Sequence, residues 1–169
     1  MTLPNSEFLG LIASVSATFV GFSLVVGFLR ADDEAIGGRF QSMRAVAELA
    51  MIAGGGALLP MLMSQFDLSI DLTWRIASAA LALSWTAGWI AAVRRFRRFY
   101  AAMGYALTSV RTLVFRNTVP VAILLLLWNV VFPSETSGAR YSLALVIALV
   151  VSAERFIFAT FQTVGDTRG

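Results

Sequence analysis

Five long apolar stretches alternate with short polar stretches along the chain. The apolar stretches are residues 8–29, 45–66, 72–93, 112–132 and 141–161. About 20 apolar residues, at 1.5 Å of helical rise each, cover the roughly 30 Å hydrocarbon core of a bilayer. The pattern therefore predicts an all-α fold: a polytopic integral membrane helical bundle with five transmembrane helices, forming one domain.

The arginines predict how such a bundle is oriented. Eleven of them lie in the first and third polar stretches or towards the C-terminal end, and only Arg75 and Arg140 lie on the other side. Basic loops stay in the cytoplasm, so we expect the N-terminus outside and the C-terminus in the cytoplasm. The residues before the first apolar stretch contain Glu7 and no basic residue, which predicts a retained helix instead of a secretory signal peptide.

The second stretch contains residues that are unusual in a helix. Gly54, Gly55 and Gly56 lie at its middle, and Pro60 has no backbone N–H. In a bilayer the carbonyls freed by such residues need partners from neighbouring helices, hydroxyls or water. One interpretation is a hinge or an unwound segment that lines a path at the membrane midplane. The other is a close helix crossing, and both predict that this helix packs against protein.

Charged residues inside the apolar stretches form a second candidate site. The predicted topology brings Glu48 in the second stretch to a depth similar to that of Glu154 and Arg155 in the fifth. A charge at the bilayer centre costs on the order of 2.5–3.5 kcal/mol and normally has a partner. We expect Glu48 to pair with Arg155 across helices. Two alternatives are a pair with Arg44 four residues earlier, while Arg155 extends to headgroups, and a proton or ion relay.

A basic and aromatic segment follows the third stretch. It contains Arg94, Arg95, Arg97 and Arg98 among Phe and Tyr residues. Such a segment is typical of a helix lying on the membrane surface, and its arginines attract anionic lipid headgroups. We therefore expect contact with anionic headgroups on the cytoplasmic side of the bilayer, and no nucleic-acid partner.

Small residues recur at helical spacing in the first and third stretches. They are Gly10, Ser14 and Thr18 in the first, and Ala80, Ser84, Gly88 and Ala92 in the third. This spacing lets two helices approach closely in lipid. It predicts packing inside the bundle, with the third helix at its centre, or association with a second copy or another membrane protein.

Five aromatic residues have predicted positions in the membrane. Trp74, Trp128 and Tyr141 are expected near the outer membrane face, where aromatic side chains are enriched. Trp85 and Trp89 lie deeper, so their indole N–H groups are expected to find partners within the bundle.

The composition narrows the chemistry that the chain can perform. Hydrophobic residues make up 58 % of the chain, charged residues make up 14 %, and cysteine and histidine are absent. All 13 basic residues are arginine, in a composition typical of a GC-rich bacterial genome. Thiolate chemistry, histidine-ligated haem or zinc and lysine Schiff bases are thereby excluded. We expect no enzyme activity, no cofactor and no metal.

Two functions are favoured for a chain of this kind over a third, a lipid-handling or quinone-associated enzyme, because the basic segment offers no acid or base for catalysis. The first is a homo-oligomeric channel or transporter for a small ion or solute in the bacterial inner (plasma) membrane, with anions favoured by the basic segment. Copies must associate in this case because five spans rarely enclose a path. The second is an accessory or assembly subunit of a larger membrane complex.

Overall fold

Five helices form the part of the chain that the structure, a computed structural model, describes. This part comprises residues 5–29, 37–103 and 110–161, with side chains described for 5–26, 43–44, 46–91, 93–94 and 118–157. The helices are α1 (Ser6–Leu29), α2 (Gly37–Met63), α3 (Ile70–Met103), α4 (Val110–Val131) and α5 (Ser137–Phe161). The described residues contain no strand, so the all-α fold and the five predicted helices are confirmed.

α3 is longer than the sequence predicts. It continues past Val93 to Met103 and comprises 34 residues. Neither glycine nor proline occurs between Gly88 and Gly104, so nothing interrupts the helix there. At 1.5 Å per residue α3 is about 50 Å long. Residues 94–103, predicted as a separate surface segment, therefore continue α3.

The start of α2 also differs from the predicted boundary. α2 begins at Gly37 within the predicted polar loop, whereas α4 begins at Val110, close to the start of the predicted stretch. Pro120 lies inside α4. The reason is physical: hydropathy predicts where a helix could enter lipid, whereas the backbone can form helix through polar residues before that point.

α5 is the central helix of the bundle, because it contacts each of the other four. α1 packs most extensively on α2, and α3 packs mainly on α4. The sequence predicted α3 at the centre, but α3 makes no contact with α1 in the described part of the chain. The core between the helices is filled by large side chains that include Leu9, Trp85, Leu126, Tyr141 and Leu145.

Two segments are long and apolar enough to cross a membrane, judged by length and composition. They are Ser6–Val26 and Val46–Phe66. α4 contains a shorter apolar helix, Thr118–Val131, and no further segment of the described chain meets the test. The two segments weakly suggest membrane association.

The aromatic residues differ in their surroundings. Trp128 is exposed, whereas Trp74 and Tyr141 are buried against each other, with ring centroids 5.4 Å apart. The position of these three residues near the outer membrane face stays a prediction. Trp85 is also buried, and its indole N–H has no hydrogen-bond partner, so the prediction of a partner was wrong for Trp85.

Candidate functional site

The carbonyl that Pro60 leaves without a helical donor has a partner on another helix. In a regular helix the N–H of residue 60 would bond to the carbonyl oxygen of Gly56, but proline has no N–H. The Tyr141 hydroxyl on α5 donates to the Gly56 oxygen instead, at 2.5 Å. This bond explains how α2 passes through Pro60 without a break, and it meets the expectation that a neighbouring helix satisfies the freed carbonyl.

The three consecutive glycines of α2 face three different surroundings. A Cβ on Gly54 would lie 3.0 Å from Ser16 Cβ on α1, and one on Gly56 would lie 2.9 Å from Leu81 Cδ1 on α3. A Cβ on Gly55 would meet nothing within 4 Å. Gly54 and Gly56 therefore serve close helix crossings, which is one of the two interpretations left open by the sequence. α2 contains no unwound turn here, and a hinge motion at Gly54–Pro60 stays a prediction.

An open groove lies between α2 and α3 on the side that Gly55 faces, and we name it the α2–α3 groove. Its volume is about 890 Å³. One wall is formed by small residues of α3, namely Ala80, Ser84, Ala87, Gly88 and Ala91. The other is formed by α2, with Glu48, Met51, Gly55 and Leu59 among its residues. The small-residue ridge predicted on α3 thus borders an open surface instead of a packed crossing, except where Ile52 lies over Gly88.

One end of the α2–α3 groove is charged. Arg44 Nε donates to Glu48 Oε1 at 2.8 Å, which is the pairing within one helix that the sequence left as an alternative. The Arg44 side chain is 61 % exposed and that of Glu48 is 31 % exposed. On α5, which packs on α2, Glu154 is exposed and Arg155 is half-buried. The cross-helix pair between Glu48 and Arg155 stays a prediction.

The predicted basic patch continues α3 beyond the charged end of the groove. Arg94 is exposed, and it lies three residues after Ala91 on the same side of the helix. The side chains of Arg95, Arg97 and Arg98 lie outside the described residues. Arg94 and Arg44 therefore place two exposed guanidinium groups on the two helices that form the groove.

A buried polar cluster at the opposite end of the bundle was not predicted from the sequence. The Asn129 side-chain amide donates to the Ser137 carbonyl at 2.9 Å and lies 3.4 Å from Ser78 Oγ. Nearby, Arg75 Nε donates to the Val130 carbonyl at 3.0 Å. These bonds tie α3 and α4 to the start of α5. A single Asn in a run of leucines was the available signal for this cluster.

α1 keeps its small-residue face away from the bundle. Cβ atoms added to Gly10 or Gly21 would meet nothing within 4 Å, and Ser14 and Thr18 are exposed. Each hydroxyl donates to the carbonyl four residues earlier in α1, at 3.0 Å in both cases. This face is consequently available to another molecule, and its hydroxyls need no outside partner.

Comparisons with known proteins do not assign a function. No protein-family model matches the chain, and neither a curated protein nor a solved structure matches it. Among the described residues, no group of three or more His, Cys, Asp or Glu side chains could hold a metal ion. The features that can carry function are the α2–α3 groove, its charged end and the open face of α1.

Proposed function

We propose that the protein is a five-span integral membrane protein of a bacterial inner membrane that acts as an accessory or assembly subunit, without catalytic chemistry. The observation that carries this proposal is the open small-residue face of α1. After the bundle has packed, Gly10, Ser14, Thr18 and Gly21 remain free to contact the helix of another membrane protein. Helices associate in lipid through faces of this kind.

The surface of the bundle supports a membrane environment. Each of the five helices leaves a large apolar side chain more than half exposed; examples in chain order are Leu11, Leu62, Leu83, Leu124 and Val150. A monomeric soluble protein rarely exposes large contiguous apolar patches, whereas here all five helices contribute exposed large apolar side chains. The segments Ser6–Val26 and Val46–Phe66 are only 22 % and 39 % buried, unlike the core helix of a soluble protein.

The exposed hydroxyl groups support the same environment. Ser14 and Thr18 on α1 and Ser84 on α3 each donate to a carbonyl of their own helix. A polar group facing lipid has no water to bond with, so an internal acceptor removes the cost of exposing it there.

The orientation is part of the proposal and rests on the arginine asymmetry. With the N-terminus outside, the charged end of the α2–α3 groove lies at the cytoplasmic face. Cysteine labelling in intact cells should find positions 97 and 169 protected and positions 5, 69 and 136 accessible. Labelling that finds positions 5 and 169 on one side would contradict five spans.

A homo-oligomeric channel or transporter is the second candidate, and it needs copies to create a path. Within one protomer, Trp85, Leu81 and Leu145 fill the space between the helices, and the Gly56 carbonyl is bonded to Tyr141. Gly55 is the member of the triplet that faces an open surface. The subunit proposal therefore fits the described residues better than a path lined by the carbonyls of the triplet.

The decisive experiment compares two glycine variants. Gly10→Leu adds a side chain to the α1 face, and Gly55→Leu adds one to the α2–α3 groove; both enter open space, so both variants should fold. In native membranes, cross-linking and mass spectrometry should find wild type and Gly55→Leu in a complex with one other membrane protein, which Gly10→Leu loses. Purified protein that forms a closed ring and supports ion flux in liposomes would instead establish the channel.

A further inference from the structure

Apart from Arg44, the α2–α3 groove has the length of one membrane leaflet. From Glu48 to Leu59 along α2, and from Ala80 to Ala91 along α3, eleven residues of helical rise correspond to about 16 Å. This is about half of the roughly 30 Å hydrocarbon core. The short turn at residues 64–69 joins the two helices beyond the end opposite to Arg44 and Glu48. The groove therefore runs from near this turn to the charged end.

The length and lining of the groove fit a small amphiphile better than a transmembrane helix. A helix that crosses the membrane needs a contact face along the whole hydrocarbon core, which a groove of half that length does not offer. A volume of about 890 Å³ lies within the 300–1,000 Å³ range of small-ligand sites. Such sites are mostly apolar with a few polar groups that fix orientation. Here Ala87, Gly88 and Gly55 line the apolar part, and Arg44 and Glu48 lie at the charged end.

The charges at the charged end of the groove favour an anionic headgroup. Arg44 uses Nε for its bond to Glu48, and a guanidinium has five donors in total. The bond holds the Arg44 side chain in place while most of it stays exposed. Arg94 adds a second exposed guanidinium on α3. Two arginines against one carboxylate leave a net positive charge, and guanidinium groups match phosphate oxygens in geometry.

We propose that the α2–α3 groove binds one anionic glycerophospholipid of the cytoplasmic leaflet. One acyl chain lies along the small residues of α3 beside Gly55, and the phosphate contacts Arg44 and Arg94. Basic pockets between helices on the cytoplasmic side are typical sites for such headgroups. The inference rests on the proposed membrane location and orientation, but not on the docking face of α1.

The test counts lipids that stay bound to the purified full-length protein. The protein is extracted into mild detergent, and one sample receives palmitoyl-oleoyl phosphatidylglycerol while a second receives phosphatidylcholine with the same acyl chains. Native mass spectrometry then counts the bound lipids in each sample. Wild type should retain one phosphatidylglycerol molecule in preference to phosphatidylcholine. Arg44→Gln and Arg94→Gln should each weaken retention about fivefold, and Gly55→Leu should abolish it by filling the groove. Gly21→Leu on α1 and Arg75→Gln at the other end are matched controls that should retain the lipid.

Three results would overturn the inference. The first is equal retention of the two lipids by wild type. The second is unchanged retention in Gly55→Leu and in Arg44→Gln, which would indicate general contact with surrounding lipid. The third is a dimer without lipid that Gly55→Leu dissociates, because a second copy would then occupy the groove. A protein that does not float with liposomes refutes the membrane proposal itself, so the two failures are distinguishable.

Discussion

Two neighbouring glycines of α2, Gly55 and Gly56, occupy opposite environments. Gly56 is buried between Leu81 and Leu145, and its carbonyl accepts the Tyr141 hydroxyl. Gly55 faces the α2–α3 groove with open space around it. One residue of helix rotates the side-chain direction by about 100°, which takes it from the bundle interior to the surface. The same residue type therefore serves close packing at one position and leaves a surface concave at the next.

The largest expected effect on stability comes from adding a side chain at Gly56, on the buried side of α2. Gly56→Leu adds four carbon atoms where a Cβ alone already lies 2.9 Å from Leu81 Cδ1, and it should destabilise the protein by about 3 kcal/mol. Gly55→Leu should be neutral or stabilising by up to about 1 kcal/mol, because leucine forms helix better than glycine. Unfolding in detergent, followed by circular dichroism, measures both. Equal losses would show that the two positions do not differ in packing.

Removal of the Tyr141 hydroxyl is the next test of packing on the buried side of α2. Tyr141→Phe leaves the buried Gly56 carbonyl without a donor and should cost about 2 kcal/mol. Pro60→Ala restores a backbone N–H at the position that normally bonds to this carbonyl. In a Pro60→Ala background, Tyr141→Phe should therefore cost about 1 kcal/mol less. A cost that is the same in both backgrounds would mean that the hydroxyl does not compensate for the proline.

The crossing of α1 and α2 should respond less strongly. Gly54→Ala brings a Cβ to 3.0 Å from Ser16 Cβ, an atom attached directly to the α1 backbone, so the helices must separate slightly. We expect a net loss of about 1 kcal/mol after the gain in helix propensity. Gly21→Ala, which meets no neighbour, is the control and should stabilise the protein. Unfolding in detergent measures both changes. A Gly54→Ala variant that is more stable than wild type would contradict the close crossing of α1 and α2.

The smallest expected effect on stability lies at the charged end of the α2–α3 groove. The Arg44–Glu48 pair is partly exposed, and pairs of this spacing contribute about 0.3–0.5 kcal/mol. A double-mutant cycle with Arg44→Gln and Glu48→Gln should return a coupling of that size. A parallel cycle with Glu48→Gln and Arg155→Gln tests the predicted cross-helix pair, for which the double change should cost less than the sum of the two single changes. Coupling near zero in the second cycle would mean that Glu48 pairs with Arg44 in α2 and not with Arg155 in α5.

The sequence by itself determined the helices and the need for a hydrogen-bond donor to the carbonyl that Pro60 leaves free. The apolar stretches predicted five helices in the right order, because the length of an apolar run is a local property. The start of α2 at Gly37 and the end of α3 at Met103 were missed, since polar residues can continue a helix without a hydropathy signal. The missing N–H of Pro60 required a donor from another helix, and local chemistry could say no more than that.

Only the tertiary structure decided which residues meet. Nothing in the sequence connected Tyr141 with Gly56, whose carbonyl the Tyr141 hydroxyl reaches because α5 packs at the centre of the bundle. The ridge of Ala80, Ser84 and Gly88 indicated a close contact but could not reveal that it borders a groove. Helical spacing shows which residues share a face, whereas the rotation of each helix about its axis, set by packing against all its neighbours, decides what that face meets.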